Sequence, residues 1–261
     1  MQSQPDIYFI GAGPGDPELI TVKGARLLRE AEVVVFAGSL VNRQLLVEHS
    51  PTAELYDSAG MTLEEIIGVM AAAVAAGRRV ARLHTGDPSL YGAIQEQMVE
   101  LDRIGISYEV VPGVTSASAA AAALRQELTL PEVSQTLIIT RLAGKTPVPE
   151  RERLSEIARI GATVAIYLSV GMIDQVVAEL LNGGAYTPET PAAVLYRASW
   201  PDERIVEGTL ADIAGKVGAA GIDRQALIMV GDVFGARRNG IKARSLLYDG
   251  TFTHGFRRGD S

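Results

Sequence analysis

A single carboxylate set among glycines and prolines is the most chemically suggestive feature of this chain. The run His84-Thr85-Gly86-Asp87-Pro88-Ser89-Leu90-Tyr91-Gly92 follows an apolar stretch at 79–83 and precedes a helical pattern that resumes at Ile94. A loop of this composition at the carboxyl end of a strand is where open α/β sheets bind ligands. Asp87 there suits a cationic or hydroxyl-rich ligand and opposes a phosphate. It could equally cap the following helix, a role worth about 1 kcal/mol. A second loop of the same kind, Gly11-Ala12-Gly13-Pro14-Gly15-Asp16-Pro17, comes directly after the apolar run 7–10, and a third, Pro112-Gly113-Val114-Thr115-Ser116, after 108–111. One such loop would read as a tight turn, since turns demand these residues for steric reasons. Three at strand ends point to a ligand site.

The opening loop begins like a dinucleotide fingerprint and then departs from it. The sixth position is Asp16, and Pro14 and Pro17 have no N–H to offer a pyrophosphate. The second strand ends in Ala37-Gly38, without the acid that would hold a ribose. No Walker lysine pattern is present either.

The elements that must carry these loops alternate cleanly in the first part of the chain. Strand-like runs at 7–10, 33–36, 53–56, 80–83 and 108–111 are separated by helical patterns at 22–30, 40–48, 63–76 and 94–104. Several strands are continuous apolar runs, the pattern of a parallel sheet covered on both faces. Thr62 with Glu65 forms a capping box, and Gly77 and Gly105 stand where left-handed helix ends belong. A second block follows an alanine-rich helix at 117–124. Its strands are expected at 136–140, 163–168, 192–196, 204–207 and 226–230, and its helices at 150–159, 172–181 and 210–217. A hairpin across 199–203 makes that sheet mixed. The expected architecture is therefore two α/β domains, at 1–113 with a parallel sheet and at 114–240 with a mixed one, a substrate cleft between them and a tail at 241–261.

Composition excludes several classes. A net charge of −7 gives no basic face for nucleic acid. The absence of cysteine rules out disulfides, cysteine–zinc sites and thiolate catalysis. No metal site is suggested. The most apolar window, 70–76, is far too short for a membrane span, and the first residues do not form a signal peptide. A cytoplasmic protein is expected.

Taken in order, Gly-Ala-Gly-Pro-Gly-Asp-Pro after the first strand, His84 to Pro88, Val111 to Ser116 and Tyr167-Leu168-Ser169 resemble the tetrapyrrole (corrin/porphyrin) methyltransferases, over about residues 5 to 235. A finer resemblance, to the branch acting on precorrin-4 in cobalamin biosynthesis, rests on 36–41, 57–62, Thr140-Arg141 with 145–151, and 196–203. The uroporphyrinogen-III methylases of the same family carry Tyr-Asp-Arg-Leu-Val where this chain has Ala37-Gly38-Ser39-Leu40-Val41, and Gly-Lys-Arg where it has Tyr56-Asp57-Ser58.

The resemblance implies the tetrapyrrole methylase fold, S-adenosylmethionine as methyl donor bound between the domains, a homodimer, and methylation of precorrin-4 at C-11 to give precorrin-5. By position it places Pro14, Thr85, Gly86, Asp87, Leu90, Thr115, Ser116, Leu168, Ala198 and Ala226 around the donor. Alternatives are the cobalt-containing substrate of the anaerobic route, or a non-catalytic module that binds the donor or a tetrapyrrole. A substrate rich in carboxylates calls for local arginine forks. Arg141, Lys145 and Arg197 are the candidates in the second block; Arg151 and Arg153, on a helical pattern, read as solvated charges. No catalytic base is nominated: His84 reads as a hydrogen-bonded packing residue, and His49 and His254 as exposed.

Overall fold

In the computed structural model, which describes residues 4–240 and 245–259, the apolar runs of the first part become adjacent strands of one sheet. The elements are β1 (Ile7–Gly11), α1 (Val22–Glu30), β2 (Val33–Phe36), α2 (Arg43–His49), β3 (Glu54–Asp57), α3 (Leu63–Ala75), β4 (Val80–His84), α4 (Ile94–Arg103), β5 (Tyr108–Val111) and α5 (Ser116–Leu124). The five strands are all parallel, in the order β3-β2-β4-β1-β5. Alternate residues of each strand supply opposite faces. Tyr8, Ile10, Val34, Phe36 and Leu83 meet Leu27, Leu28, Leu45 and Leu46 of α1 and α2. On the other face Ile7, Phe9, Val33, Val35 and Val80 meet Ile66, Met70 and Leu101 of α3 and α4. Full burial of such side chains contributes about 1.5–3 kcal/mol each.

This arrangement decides where a ligand can enter. The central strand β4 leads to α4 on one face, while its neighbours β1 and β2 lead to α1 and α2 on the other. The connections therefore diverge on both sides of the β4 carboxyl end, which is the condition for a crevice. The expected caps are present: Thr62 and Glu65 form the capping box of α3, and Gly77 and Gly105 have φ of 74° and 73°.

The chain divides into two units, one up to Ala119 together with Arg197–Asp202, the other comprising Ala120–Tyr196 and the residues from Glu203 onward. The division falls a few residues beyond the expected 113/114 boundary, inside α5, and it assigns the hairpin tip at 197–202 to the first unit.

The second unit contains β6 (Leu137–Arg141), α6 (Leu154–Ala158), β7 (Thr163–Tyr167), α7 (Ile173–Asn182), β8 (Pro191–Tyr196), β9 (Arg204–Thr209), α8 (Ile213–Ala219), β10 (Ala226–Val230) and α9 (Val233–Asn239). Its sheet runs β6-β7-β10-β8-β9, with β6 and β7 parallel and the other pairs antiparallel. The expected hairpin is β8–β9. The helix expected over 150–159 is shorter: a 3-10 turn at Glu150–Glu152 ends at Arg153, in extended backbone with ψ of 143°, before α6 begins. Among the described residues, no helix is long and apolar enough to cross a membrane.

Candidate functional site

Three loops at the carboxyl edge of the parallel sheet are sealed to one another through backbone. Past the end of β1 and β4 the chains continue to pair, Gly86 N donating to Gly13 O at 2.7 Å and Gly13 N to Gly86 O at 3.3 Å. This turn-over of the backbone needs φ of +77° at Gly13 and +62° at Gly86. The β5 loop closes from the side. A Cβ on Gly113 would lie 2.1 Å from Gly86 O, and one on Gly11 would lie 2.5 Å from Gly113 Cα. No side chain fits at either position, so the contact requires glycine at both.

Asp87 is the hub of this seal. Its Oδ2 accepts from Gly113 N at 2.8 Å, and its Oδ1 accepts from Ser89 N at 2.8 Å and from the Ser89 hydroxyl. Burial pushes the carboxyl up, but the bonds from Ser89 and Gly113 together outweigh it and hold Asp87 below the usual carboxylate range. The helix-cap role open to Asp87 is not what it does: α4 starts at Ile94 behind Ala93, whose φ is 48°, without a side-chain cap. Leu90 and Thr85 are half-buried in the same loop, and Thr115 Oγ1 accepts from Ser118 N at 3.3 Å at the start of α5.

The β1 loop is gripped from its other side by residues distant in sequence. Trp200 Nε1 donates to Pro14 O at 2.9 Å, Asp16 N donates to Ser199 Oγ at 3.0 Å, and Asn42 Nδ2 donates to Gly15 O at 2.9 Å. The indole lies so close that a Cβ on Gly15 would be 2.0 Å from its ring. Ala198 is buried in this tip. Arg197, expected as a substrate fork in the second block, sits here in the first unit, with its guanidinium 3.9 Å above the Trp200 ring and paired with Asp202 at 2.8 Å. It steadies the tip. Sequence reasoning assigned Trp200 no role; its signal was its being the only tryptophan in the chain.

No lysine or arginine occurs in 11–17, 84–93 or 112–116. One anionic hub, no cation in the loops and prolines without N–H make a poor phosphate cradle. The same set fits a nucleoside carrying a positively charged sulfonium. Among the described residues, no three His, Asp or Glu side chains gather as a metal site. His84 is packed against Phe9 at 6.0 Å between ring centroids, and burial, then the charge of Arg82, push its pKa down to about 3. The hydrogen bond expected of it is missing at Nε2, which is buried and unpartnered. His49, expected to be exposed, is half-buried, and so is His254.

In the second unit, topology collects the remaining candidates along one sheet edge. Arg141 ends β6 opposite Tyr167, Leu168 follows β7, and Ala226 begins β10 opposite Tyr196, the last residue of β8. Leu168 is 70% exposed in the left-handed region at φ 55°. The next residue holds it there: buried Ser169 donates to Tyr167 O at 2.6 Å and accepts from Leu142 N at 2.9 Å. Arg141 turns onto its own loop, donating to Thr146 O at 2.9 Å and Pro147 O at 2.8 Å. Lys145 is exposed on that loop. Arg151 and Arg153 are exposed and pair with Glu152 and Glu150, as solvated charges do.

Comparison with known proteins matches residues 6–214 to the model of the Tetrapyrrole (Corrin/Porphyrin) Methylases. The chain belongs to this family. Among curated tetrapyrrole methylases, the cobalt-precorrin-4 C(11)-methyltransferase of Methanocaldococcus jannaschii is 55% identical over 99% of this chain and 98% of its own length. The precorrin-4 C(11)-methyltransferase of Pseudomonas aeruginosa is 52% identical over 97% of this chain and 99% of its own. The X-ray structure of a cobalt precorrin-4 methyltransferase superposes with a TM-score of 0.85 at 49% identity, covering 87% of this chain and 95% of that one. A uroporphyrin-III C-methyltransferase of Thermus thermophilus complexed with S-adenosylhomocysteine gives a TM-score of 0.74 at 34% identity, covering 87% and 97%. The two α/β sheets, one parallel and one mixed, are those of the tetrapyrrole methylase fold.

Proposed function

We propose that this protein methylates C-11 of precorrin-4, giving precorrin-5, in cobalamin biosynthesis. The supporting observation is full-length identity of about half to relatives named for that reaction, joined to a loop set whose chemistry suits a sulfonium and not a phosphate. S-adenosylmethionine, when bound, would supply an electrophilic methyl group to C-11, with S-adenosylhomocysteine as the leaving group and one proton of the acceptor ring released to solvent. The protein's task is alignment of donor and acceptor, which can contribute about 7–11 kcal/mol. The donor-site residues in this reading are Pro14, Thr85, Gly86, Asp87, Leu90, Thr115, Ser116, Leu168, Ala198 and Ala226. Asp87 acts through the frame it ties together. Arg141 and Lys145 bind acceptor carboxylates, and a homodimer completes the reading. His84, its pKa pushed down to about 3 by burial and the charge of Arg82, is neutral and too weakly basic to serve as the base at working pH.

Relatives of this identity are named for cobalt-precorrin-4 and for precorrin-4, so both are assayed as substrates. Incubation with S-adenosylmethionine and each form should release S-adenosylhomocysteine and give a product heavier by one methylene, located at C-11 by NMR. Donor binding without turnover on either ring would make the protein a carrier. Heat with NADH or ATP but none with S-adenosylmethionine would overturn the assignment.

A further inference from the structure

Two residues before the β4 loop, the parallel sheet buries a guanidinium with no carboxylate beside it. Arg82 is 5% exposed, and no ion pair among the described residues includes it. Burial lowers its pKa to about 10, so it stays cationic at neutral pH. Its Nε donates to Gln97 Oε1 at 3.0 Å, and its Nη1 donates to the carbonyl of its strand neighbour Val35 at 3.3 Å. Gln97, 4% exposed on the inner face of α4, passes the connection on: its Nε2 donates to Ala93 O at 3.1 Å. Ala93 is where the β4 loop ends, at a helix start that no side chain caps. The segment leading to it is strained. Tyr91 and Ala93 have φ of 56° and 48°, and a Cβ on Gly92 would lie 2.2 Å from Pro88 O.

A buried charge without a counter-ion is a poor source of stability even when hydrogen-bonded, and apolar replacement of buried charged groups is often neutral or stabilising. Left-handed non-glycine residues likewise persist only where the surroundings impose them. Both features meet at the far end of the loop carrying Thr85, Gly86, Asp87 and Leu90. We propose that Arg82 and Gln97 are positioning residues for the methyl donor: the relay from Arg82 through Gln97 to the Ala93 carbonyl sets the conformation of residues 85–93, and the fold gives up stability to keep it. The inference rests on the donor site assigned under the proposed function. Neither residue touches the reacting atoms.

The test pairs melting temperature with S-adenosylmethionine titration by calorimetry and steady-state kinetics, on the full-length protein. In the double variant Arg82→Met/Gln97→Met the melting temperature should hold or rise. Its donor Kd should weaken about tenfold, equivalent to about 1.4 kcal/mol. The KM for the tetrapyrrole and kcat at saturating donor should stay within about twofold, the pattern of lost ground-state donor binding. Gln97→Glu keeps an acceptor for Arg82 but loses the donor to Ala93, so it should weaken donor binding without loss of stability. Arg82→Lys should recover part of the affinity. A double variant that melts lower yet binds the donor as wild type does would make the pair mere packing and overturn the inference. If stability and binding fall together, Gln97→Glu decides: donor binding at the wild-type level there overturns the relay, and weakened binding supports it. Wild-type protein that gives no heat with the donor would overturn the functional reading and this inference with it.

Discussion

In the first unit every strand runs the same way, so the loops after β1, β4 and β5 leave from one edge and can be joined backbone to backbone. The glycines at 11 and 113 let the main chains touch, Gly86 supplies the left-handed turn, and Asp87 ties two of the loops with hydrogen bonds to main-chain N–H groups. In the second unit, strand directions alternate beyond β7, and the same kind of edge is furnished by side chains: Arg141 folded over its own loop and Leu168 standing out in strained backbone. The first edge is thus a rigid frame whose shape depends on what is absent from its glycines. The second is a set of replaceable groups. Substitutions should therefore disturb stability and binding together at the first edge, and separately at the second.

The largest effect is expected from Gly113→Ala. Its methyl would press into Gly86 O, and overpacking of this kind costs about 3 kcal/mol. Urea unfolding should report that loss, with donor binding abolished; wild-type stability would mean that the loops are not sealed. Asp87→Ala should cost about 2 kcal/mol, because hydrogen bonds to a charged group are lost and Gly113 N is left unpaired. The pH dependence follows from the depressed carboxyl. Its folded pKa lies below the unfolded value near 3.9, so its contribution is complete above about pH 4 and is lost as pH falls through the folded value. Asp87→Asn should flatten that acid limb of the stability profile. An identical limb would assign the dependence to other groups.

At the second edge, Leu168→Gly should raise stability by about 1 kcal/mol through relief of left-handed strain, while donor affinity falls. Thermal melts and calorimetry moving in the same direction would remove Leu168 from the site. The smallest change in stability, under about 1 kcal/mol, is expected for Arg141→Ala, whose bonds lie at a partly exposed loop. Its KM for the tetrapyrrole should nevertheless rise several-fold, with donor Kd unchanged, and an unaltered KM would exclude it.

Which parts of this were legible in the sequence follows from range. The parallel sheet showed itself because Val33 to Phe36 and Ile7 to Ile10 are buried on both faces and cannot alternate. The loops were visible because steric need writes glycine and proline at fixed positions. Contacts across long separations left no such trace. Trp200 meets Pro14 from 186 residues away, and no local period marks that. Arg82 bore no local mark either, since the Gln97 that engages it sits a full loop later. The surroundings of Arg197 were hidden for a related reason: its position after a strand is local information, whereas the ring and carboxylate that engage it depend on where the hairpin tip folds.

The chain contains one tryptophan, and its indole N–H is bonded to the Pro14 carbonyl of the β1 loop. Any change of polarity or packing at that loop must pass through the only strong fluorophore present. Emission excited at the red edge of indole absorption is therefore a label-free reporter of a single turn, and stopped-flow mixing could time its response to an added nucleoside without a mutation or a dye.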